Sequence, residues 1–305
     1  MFRLLLVISG LLFMLPSGLI QAASNSPQIT IIIDDLGNNL RNGQRAIALP
    51  GAVTYSVLPF TPFGKQLAKQ AHQQDKEVML HMPMDNSHGH PLGPGGLTFK
   101  QDRPLFEQQL AAAITATPFV SGINNHMGSG LTTSTERMQW LMQSLKNYPL
   151  YFVDSRTSAN SVAGRTALAL KIPTLKRDIF LDHETTPAFI DKQFKRLLKK
   201  AHSKGHAVAI GHPYPSTLDY LEKALSQLDK LGVELVPPSQ LLALKRTPQL
   251  VANKITTTPQ ANTAQPMTED IKRVTKALLV NNTPDSEPEQ CRITEQLNVT
   301  RITCS

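Results

Sequence analysis

Apolar and polar positions fall into two alternating patterns along most of the chain. Dense runs of β-branched and aliphatic residues, beginning with Ile29-Thr30-Ile31-Ile32-Ile33, alternate with stretches whose apolar residues stand three or four apart. The first pattern predicts strands buried on both faces, and the second predicts helices with one face in a core. Strands are expected at 28–35, 52–58, 77–82, 119–124, 150–154, 173–177, 207–211 and 233–236. One helical stripe carries Leu105, Phe106, Leu110, Ala113 and Ile114. Another opens with Thr133 and Glu136 spaced as a capping box, followed by Met138, Leu141, Met142 and Leu145. Pro187 after Thr186 suits a first helical position, with Ile190, Phe194, Leu197, Leu198 and Ala201 behind it. Leu218, Leu221, Leu225 and Leu228 form a further face that Gly232 stops.

Strands alternating with helices over one stretch predict an α/β fold with a parallel sheet, most naturally a distorted (β/α) barrel. An open doubly wound sheet is the alternative. Either architecture places chemistry at the C-terminal ends of the strands.

The flanks have a different character. Arg3, the apolar stretch Leu4–Leu15 and the break at Pro16-Ser17-Gly18 resemble an export signal over residues 1–23, with cleavage near Ala22 or Ala23. The apolar stretch is shorter than the roughly 20 residues of a spanning helix. A secreted or periplasmic chain is therefore expected, with no transmembrane span after cleavage. The barrel domain is assigned to 27–245. Residues 246–290, rich in Thr, Gln, Asn, Pro and Ala, read as a flexible linker or tail, and 291–305 as a small terminal segment. The only two cysteines, Cys291 and Cys304, lie in that segment. Their spacing makes neither a zinc ribbon nor a redox CxxC pair, and in an oxidising compartment they would form one disulfide.

The formal net charge is +8, with the positive residues scattered apart from Lys195-Arg196 and Lys199-Lys200. Together with export, this argues against nucleic acid as a partner. It allows attraction to an anionic envelope polymer or membrane surface, although a solvated helix face explains the pair of dipeptides more simply.

The rare polar residues fall at the predicted strand ends. Asp34-Asp35 closes the first strand ahead of Leu36-Gly37. Neighbours on a strand point to opposite faces, so one carboxylate could bind a metal while the other handles a proton. An N-cap for the next helix is the plainer reading of the pair. His81 ends the third strand, and Asn124-Asn125-His126 follows the fourth. Asp154-Ser155-Arg156, Asp178, Asp182 and His212 follow later strands. A Gly/Pro-rich loop over 85–101 is suited to covering a site.

Buried charges need partners, and a divalent ion is the simplest shared one. Asp35, His81 and His126 are the chosen ligands, a donor set that suits Zn2+ best and leaves a position open for water. Iron, manganese or nickel would also fit. Asp34 is assigned as general base and His212 as proton donor to a leaving amine. Asp85, Asn125, Asp154, Arg156, Asp178 and Asp182 are expected to orient those groups or to contact substrate, Arg156 by holding an anionic part.

The motifs Ile-Asp-Asp-Leu-Gly, His-Met-Pro-Met, Asn-His-Met-Gly-Ser, Val-Asp-Ser-Arg-Thr, Arg-Asp-Ile-Phe-Leu-Asp and Ile-Gly-His-Pro, in that order over about residues 27–244, resemble the divergent polysaccharide deacetylase family, a branch related to the NodB-type carbohydrate esterases. The resemblance implies a distorted (β/α) barrel, export, and removal of N-acetyl groups from an amino-sugar polymer such as peptidoglycan. It also implies Asp34 as base, Asp35 as ligand and His212 as proton donor. The wider family has two ligand histidines four apart; His81 matches the first, but Asp85 stands at the second position. His126 stands where the wider family carries an Arg-Pro motif and is assigned the missing imidazole. Two other functions fit the same residues. One is a non-catalytic envelope protein that binds glycan or a protein partner, and the other is a metal hydrolase of a different amide or ester.

Overall fold

The computed structural model describes residues 26–245 and two short strands, Arg292–Gln296 and Val299–Thr303. The expected signal segment, the 246–290 linker, and Cys291 and Cys304 lie outside the described residues. The two short strands pair antiparallel, Arg292 opposite Thr303, and belong to a separate unit from the larger one.

Among its described residues the larger unit contains nine strands: β1 (Gln28–Leu36), β2 (Thr54–Val57), β3 (Val78–Met84), β4 (Val120–Met127), β5 (Tyr151–Asp154), β6 (Thr174–Lys176), β7 (Ile179–Phe180), β8 (His206–Gly211) and β9 (Glu234–Leu235). Its helices include α1 (Leu40–Ile47), α2 (Gly64–Gln73), α3 (Arg103–Ala116), α4 (Thr135–Leu145), α5 (Ala163–Ala169), α6 (Pro187–Lys204) and α7 (Pro215–Leu225). No helix among the described residues is long and apolar enough to cross a membrane.

The strands are ordered β6-β5-β4-β3-β2-β1-β8-β7, and every pair is parallel. The short β9 pairs with the start of β1, at Gln28 and Ile29, below the point where β2 joins at Ile32. The two edge strands are consecutive in the chain, joined only by Arg177 and Asp178. The Arg177 N–H donates to Asp154 O on one edge, at 2.9 Å, and the Asp178 N–H to Val208 O on the other, at 2.8 Å. A three-residue step spans at most about 11 Å. The sheet must therefore curl until its edges nearly meet, giving a half-barrel rather than a flat doubly wound sheet. β7, only two residues long, is the strand that periodicity could not reveal.

Alternation on β1 divides the core. Ile29, Ile31 and Ile33 face outward into a layer containing Leu197, Leu218 and Leu221. Ile32 faces inward with Met79, Val153, Val208 and Ile210, and Val236, Leu241 and Leu242 close this inner cluster. A helix at 238–245 carries the last two. Apolar side chains thus fill the N-terminal half of the barrel, leaving polar ones to gather at the C-terminal mouth.

Two local readings change. The cap of α4 is Ser134, whose hydroxyl accepts from Arg137 N–H; Thr133 is used by the preceding 3-10 turn, donating its hydroxyl to Gly130 O at 2.7 Å. α7 ends at Leu225, so Leu228 is buried just beyond the helix, and Gly232, at φ +62°, ends a further short turn. Thr186 and Pro187 do open α6, the Thr186 hydroxyl accepting from Phe189 N–H.

Gly122 on β4 shows how close the inner packing is. A Cβ there would lie 2.2 Å from the ring of Tyr151, whose hydroxyl donates to Glu77. Gly122→Ala is expected to destabilise the fold by about 1–3 kcal/mol, an overpacking cost. A thermal melt would show this as a fall of several degrees, at roughly 2–4 °C per kcal/mol for a domain of this size.

Candidate metal centre

The site is built at the C-terminal ends of β1, β3, β4 and β8. Asp34 and Asp35 do not alternate as a regular strand would place them. The β1–β2 register shifts between Ile33 and Leu36, and Asp35 has φ +60°. This bulge turns both carboxylates into one pocket: Asp34 Oδ2 lies 3.6 Å and Asp35 Oδ1 3.1 Å from the same atom, His81 Nε2. The expectation of opposite faces is thus corrected by a left-handed residue. The N-cap reading also fails, because Asn39 caps α1 by accepting from Asn42 N–H at 2.9 Å.

β3 and β4 pair His81 with Asn124 and Pro83 with His126, which puts all three polar side chains on the inner face. His126 Nδ1 lies 2.8 Å from Asp35 Oδ1 and 3.2 Å from His81 Nε2. Two ring nitrogens that face each other this closely cannot both carry protons. Asp35 Oδ1 is buried, yet it lies off the line of any N–H and has no hydrogen-bond partner. Three donor atoms converging without satisfying one another is the arrangement that a cation would complete. Tetrahedral zinc, with bonds of about 2.0–2.1 Å, spaces its donors by about 3.3 Å, close to the separations found here. The Asp35, His81 and His126 donor set therefore fits a divalent ion, and among the described residues it is the cluster that does.

Burial opposes the Asp35 charge, but the imidazoles of His126 and His81 outweigh it and hold this carboxyl well below the usual range. Asp34, by contrast, is pushed up by burial against the pull of His81, His212 and Asn124. Burial lowers His81, but Asp34 and Asp35 raise it further, so its net shift is upward.

Asn124 joins these groups, and the sequence reading missed it. Its Oδ1 lies 2.6 Å from His81 Nδ1 and accepts from Ser56 Oγ at 2.6 Å, while its Nδ2 donates to Asp34 Oδ1 at 2.8 Å. Since the amide oxygen can only accept, it holds the His81 proton on Nδ1 and leaves Nε2 free for a cation. The available signal was an amide at the C-terminal end of the expected fourth strand, two residues before His126. Asn124→Ala is expected to lower cation affinity about 10–100-fold, as calorimetric titration would show. Unchanged affinity would reduce Asn124 to a packing role.

His212 follows β8. Its backbone N–H donates to Asp182 Oδ2 at 2.6 Å and its Nδ1 lies 3.0 Å from Asp182 Oδ1, while Thr217 Oγ1 donates to Oδ2 at 2.8 Å. His212 Nε2 faces the pocket, 3.7 Å from Asp35 Oδ2. Burial works against its charge, but Asp182 outweighs it and pushes the imidazole up to about 9. A raised value means stabilisation that is complete below the ordinary 6.5 and is lost as pH rises through about 9. Metal-free protein is expected to lose on the order of 1–3 kcal/mol from this pair over that window. Thermal melts against pH should show the fall, and Asp182→Asn should flatten it.

The other expected site residues are dispersed. Asp85 anchors the covering loop, its Oδ2 accepting from Phe99 N–H at 2.7 Å, and it lies outside the donor cluster. Asn125 accepts from Ser155 N–H and donates to Met127 O, fixing the β4 and β5 ends rather than a ligand. Asp154 organises its own loop through the Arg156 and Gly164 N–H groups and Ser161 Oγ. Arg156 donates to Ala159 O. Asp178 does not enter the site: alternation turns it outward, where it pairs with Lys200 at 2.9 Å and accepts from Val208 N–H. The inward neighbour is Arg177, whose guanidinium holds the Ser155 and Arg156 carbonyls.

The 85–101 loop does cover the site. Met84 bridges to Leu97, and Pro91, Leu92 and Pro94 wall a cleft of about 300 Å3 with Asp35 and His126. A larger concavity of about 1130 Å3 lies along β6. The smaller cleft is the one lined by Asp35 and His126, and it opens on the donor cluster.

A curled parallel half-barrel with carboxylates and imidazoles at its C-terminal mouth defines an α/β protein of the polysaccharide deacetylase type. Residues 31–242 match the divergent polysaccharide deacetylase family, and the chain belongs to it. It is 36% identical to the uncharacterized protein YibQ of Escherichia coli K12 over 215 residues, covering 70% of this chain and 67% of that one. An uncharacterized protein of Haemophilus influenzae is 33% identical over 209 residues, covering 68% and 74%. Among solved structures, the uncharacterized protein ATU2773 of Agrobacterium tumefaciens C58 shares the fold, with a TM-score of 0.68, 23% identity, and coverage of 71% of this chain and 89% of that one.

Proposed function

We propose that this protein is an exported, metal-dependent hydrolase that removes N-acetyl groups from an amino-sugar polymer of the cell envelope. The observation that carries the reading is Asp35 Oδ1, buried without a hydrogen bond between His81 Nε2 and His126 Nδ1. Family membership supports the glycan and the amide reaction. The leader-like residues 1–23 support passage to the periplasm.

Asp35, His81 and His126 would hold the ion, zinc by preference for two nitrogens and one oxygen. When bound, such an ion polarises a carbonyl and makes water more acidic. The remaining roles belong to the protein. Asp34 Oδ1 is occupied by Asn124, so Oδ2 is the oxygen available to take a proton from attacking water. Its raised proton affinity suits that task. His212, charged at neutral pH and fixed by Asp182, presents Nε2 to the Asp35 carboxylate and would protonate the leaving amine. The covering loop narrows the cleft through Pro91, Leu92 and Pro94.

The test is acetate release from N-acetylglucosamine oligomers, with cation binding measured on the same samples. The reading expects release that depends on the cation. A cation-loaded protein that releases no acetate, yet binds the oligomer, would make it a glycan-binding protein instead.

A further inference from the structure

The 1130 Å3 concavity along β6 is separate from the reactive cleft and has a different chemistry. Five cationic residues line it: Arg156, Arg165, Lys171, Lys176 and Lys245. All except the half-buried Arg156 are exposed. None of the five has an ion-pair partner among the described residues, whereas Lys195 and Lys200 on α6 pair with Asp191 and Asp178.

One carboxylate against five cations leaves the lining net positive. Asp154 is the one acidic residue in the lining, and both its oxygens are taken, Oδ1 by Arg156 N–H and Oδ2 by Ser161 Oγ and Gly164 N–H. Asp178 is committed to Lys200 and to Val208 N–H. Burial holds the Lys245 ammonium below its ordinary value, outweighing the pull of Asp178, and Lys176 adds to the fall.

Shape favours a chain over a flat surface. The concavity follows β6, an edge strand with β5 as its partner, so the peptide groups on its other side are free to bond hydroxyls. It extends from Lys171 before β6 to the Asp154–Ser161 loop above it, and Arg177 ties that loop to the barrel mouth.

We infer that this groove binds an anionic glycan, a sugar chain carrying carboxylate or phosphate groups, held by Arg156, Arg165, Lys171, Lys176 and Lys245. The choice of a glycan rests on the deacetylase reading, while the anionic character rests on the groove alone. A polymer held here would be presented from the β6 edge toward the catalytic mouth, giving preference to charged stretches of the envelope polymer.

Binding is measured on the full chain, independent of turnover, with oligogalacturonate for carboxylate, a phosphomannan fragment for phosphate, and an N-acetylglucosamine oligomer of equal length as the neutral control. At least one charged oligomer should bind, and more weakly as salt rises. The double variant Arg165→Glu/Lys171→Glu, at exposed positions that leave the fold intact by circular dichroism, should lose about tenfold or more in that affinity. Lys192→Glu/Lys199→Glu on α6 should leave it unchanged, as should Asp35→Asn at the reactive cleft. Loss of deacetylation with retained, charge-dependent binding would refute the enzyme and keep the groove. Absence of binding by both charged oligomers, or binding indifferent to the groove reversal, would overturn the proposal. So would binding only to phosphatidylglycerol vesicles, which would assign the cations to a lipid surface.

Discussion

Asp35→Asn is expected to lower divalent-cation affinity by roughly 100-fold or more while leaving the fold in place. Groups one sphere out from a metal control about 10–100-fold in affinity, and Asp35 is the anionic donor itself. Asparagine is the informative replacement for a backbone reason. Asp35 sits at φ +60°, a region that Asn tolerates and β-branched residues do not. The bulge should therefore persist, and the change removes only charge and one strong donor. Asp35→Gly should lose the cation equally without backbone strain, and Asp35→Ala should lose it and also destabilise by about 1–2 kcal/mol, the ordinary cost of a left-handed alanine. Metal content after exhaustive dialysis and calorimetric titration measure the first effect, and thermal melts the second. Retention of a stoichiometric ion in all three variants would place the metal elsewhere.

Asp34→Asn separates proton transfer from metal holding. Asp34 is buried, its Oδ1 accepts from Asn124 Nδ2, and its Oδ2 remains for chemistry. An asparagine can still accept the Asn124 bond through its own oxygen, so the network survives while the base is lost. Turnover is expected to fall by about 10²–10⁴-fold, the usual worth of a positioned general base, with cation affinity changed only a few-fold. Acetate-release kinetics and metal titration on the same preparation distinguish the outcomes. Equal losses of turnover and of cation would make Asp34 a ligand or a support rather than the base.

Most of the fold was legible because its strands are apolar on both faces and its helices carry clear stripes. Ile29–Ile33 and the Pro187-to-Ala201 segment need no tertiary context to be read. β7 was not legible, since two residues carry no period, and with it went the curl that brings β6 and β7 to within a dipeptide of each other. The site residues were visible as rare polar types at strand ends, and the structure brings Asp34, Asp35, His81, His126, His212 and Asp182 together. Their facing was not visible. Strict alternation would have sent Asp35 outward, and only the bulge reverses it. The same alternation, unbroken at Arg177-Asp178, sends Asp178 out of the site and Arg177 in. Asn124 went unassigned because the fourth strand was expected to end there, whereas it continues to Met127 and carries the amide inside the barrel. The loop glycines and prolines of 85–101 announced a cover, but the use of Asp85 to anchor that cover depends on its bond to Phe99, fourteen residues away.

On this reading Asp35, His81 and His126 share one cation. Diffraction from crystals grown with zinc, recorded on both sides of the zinc absorption edge, tests it most directly. One anomalous peak is expected, in contact with the Asp35 carboxylate, His81 Nε2 and His126 Nδ1. A fully occupied peak beside Asp85 that leaves His126 without contact, or no peak within reach of these three side chains, would contradict it.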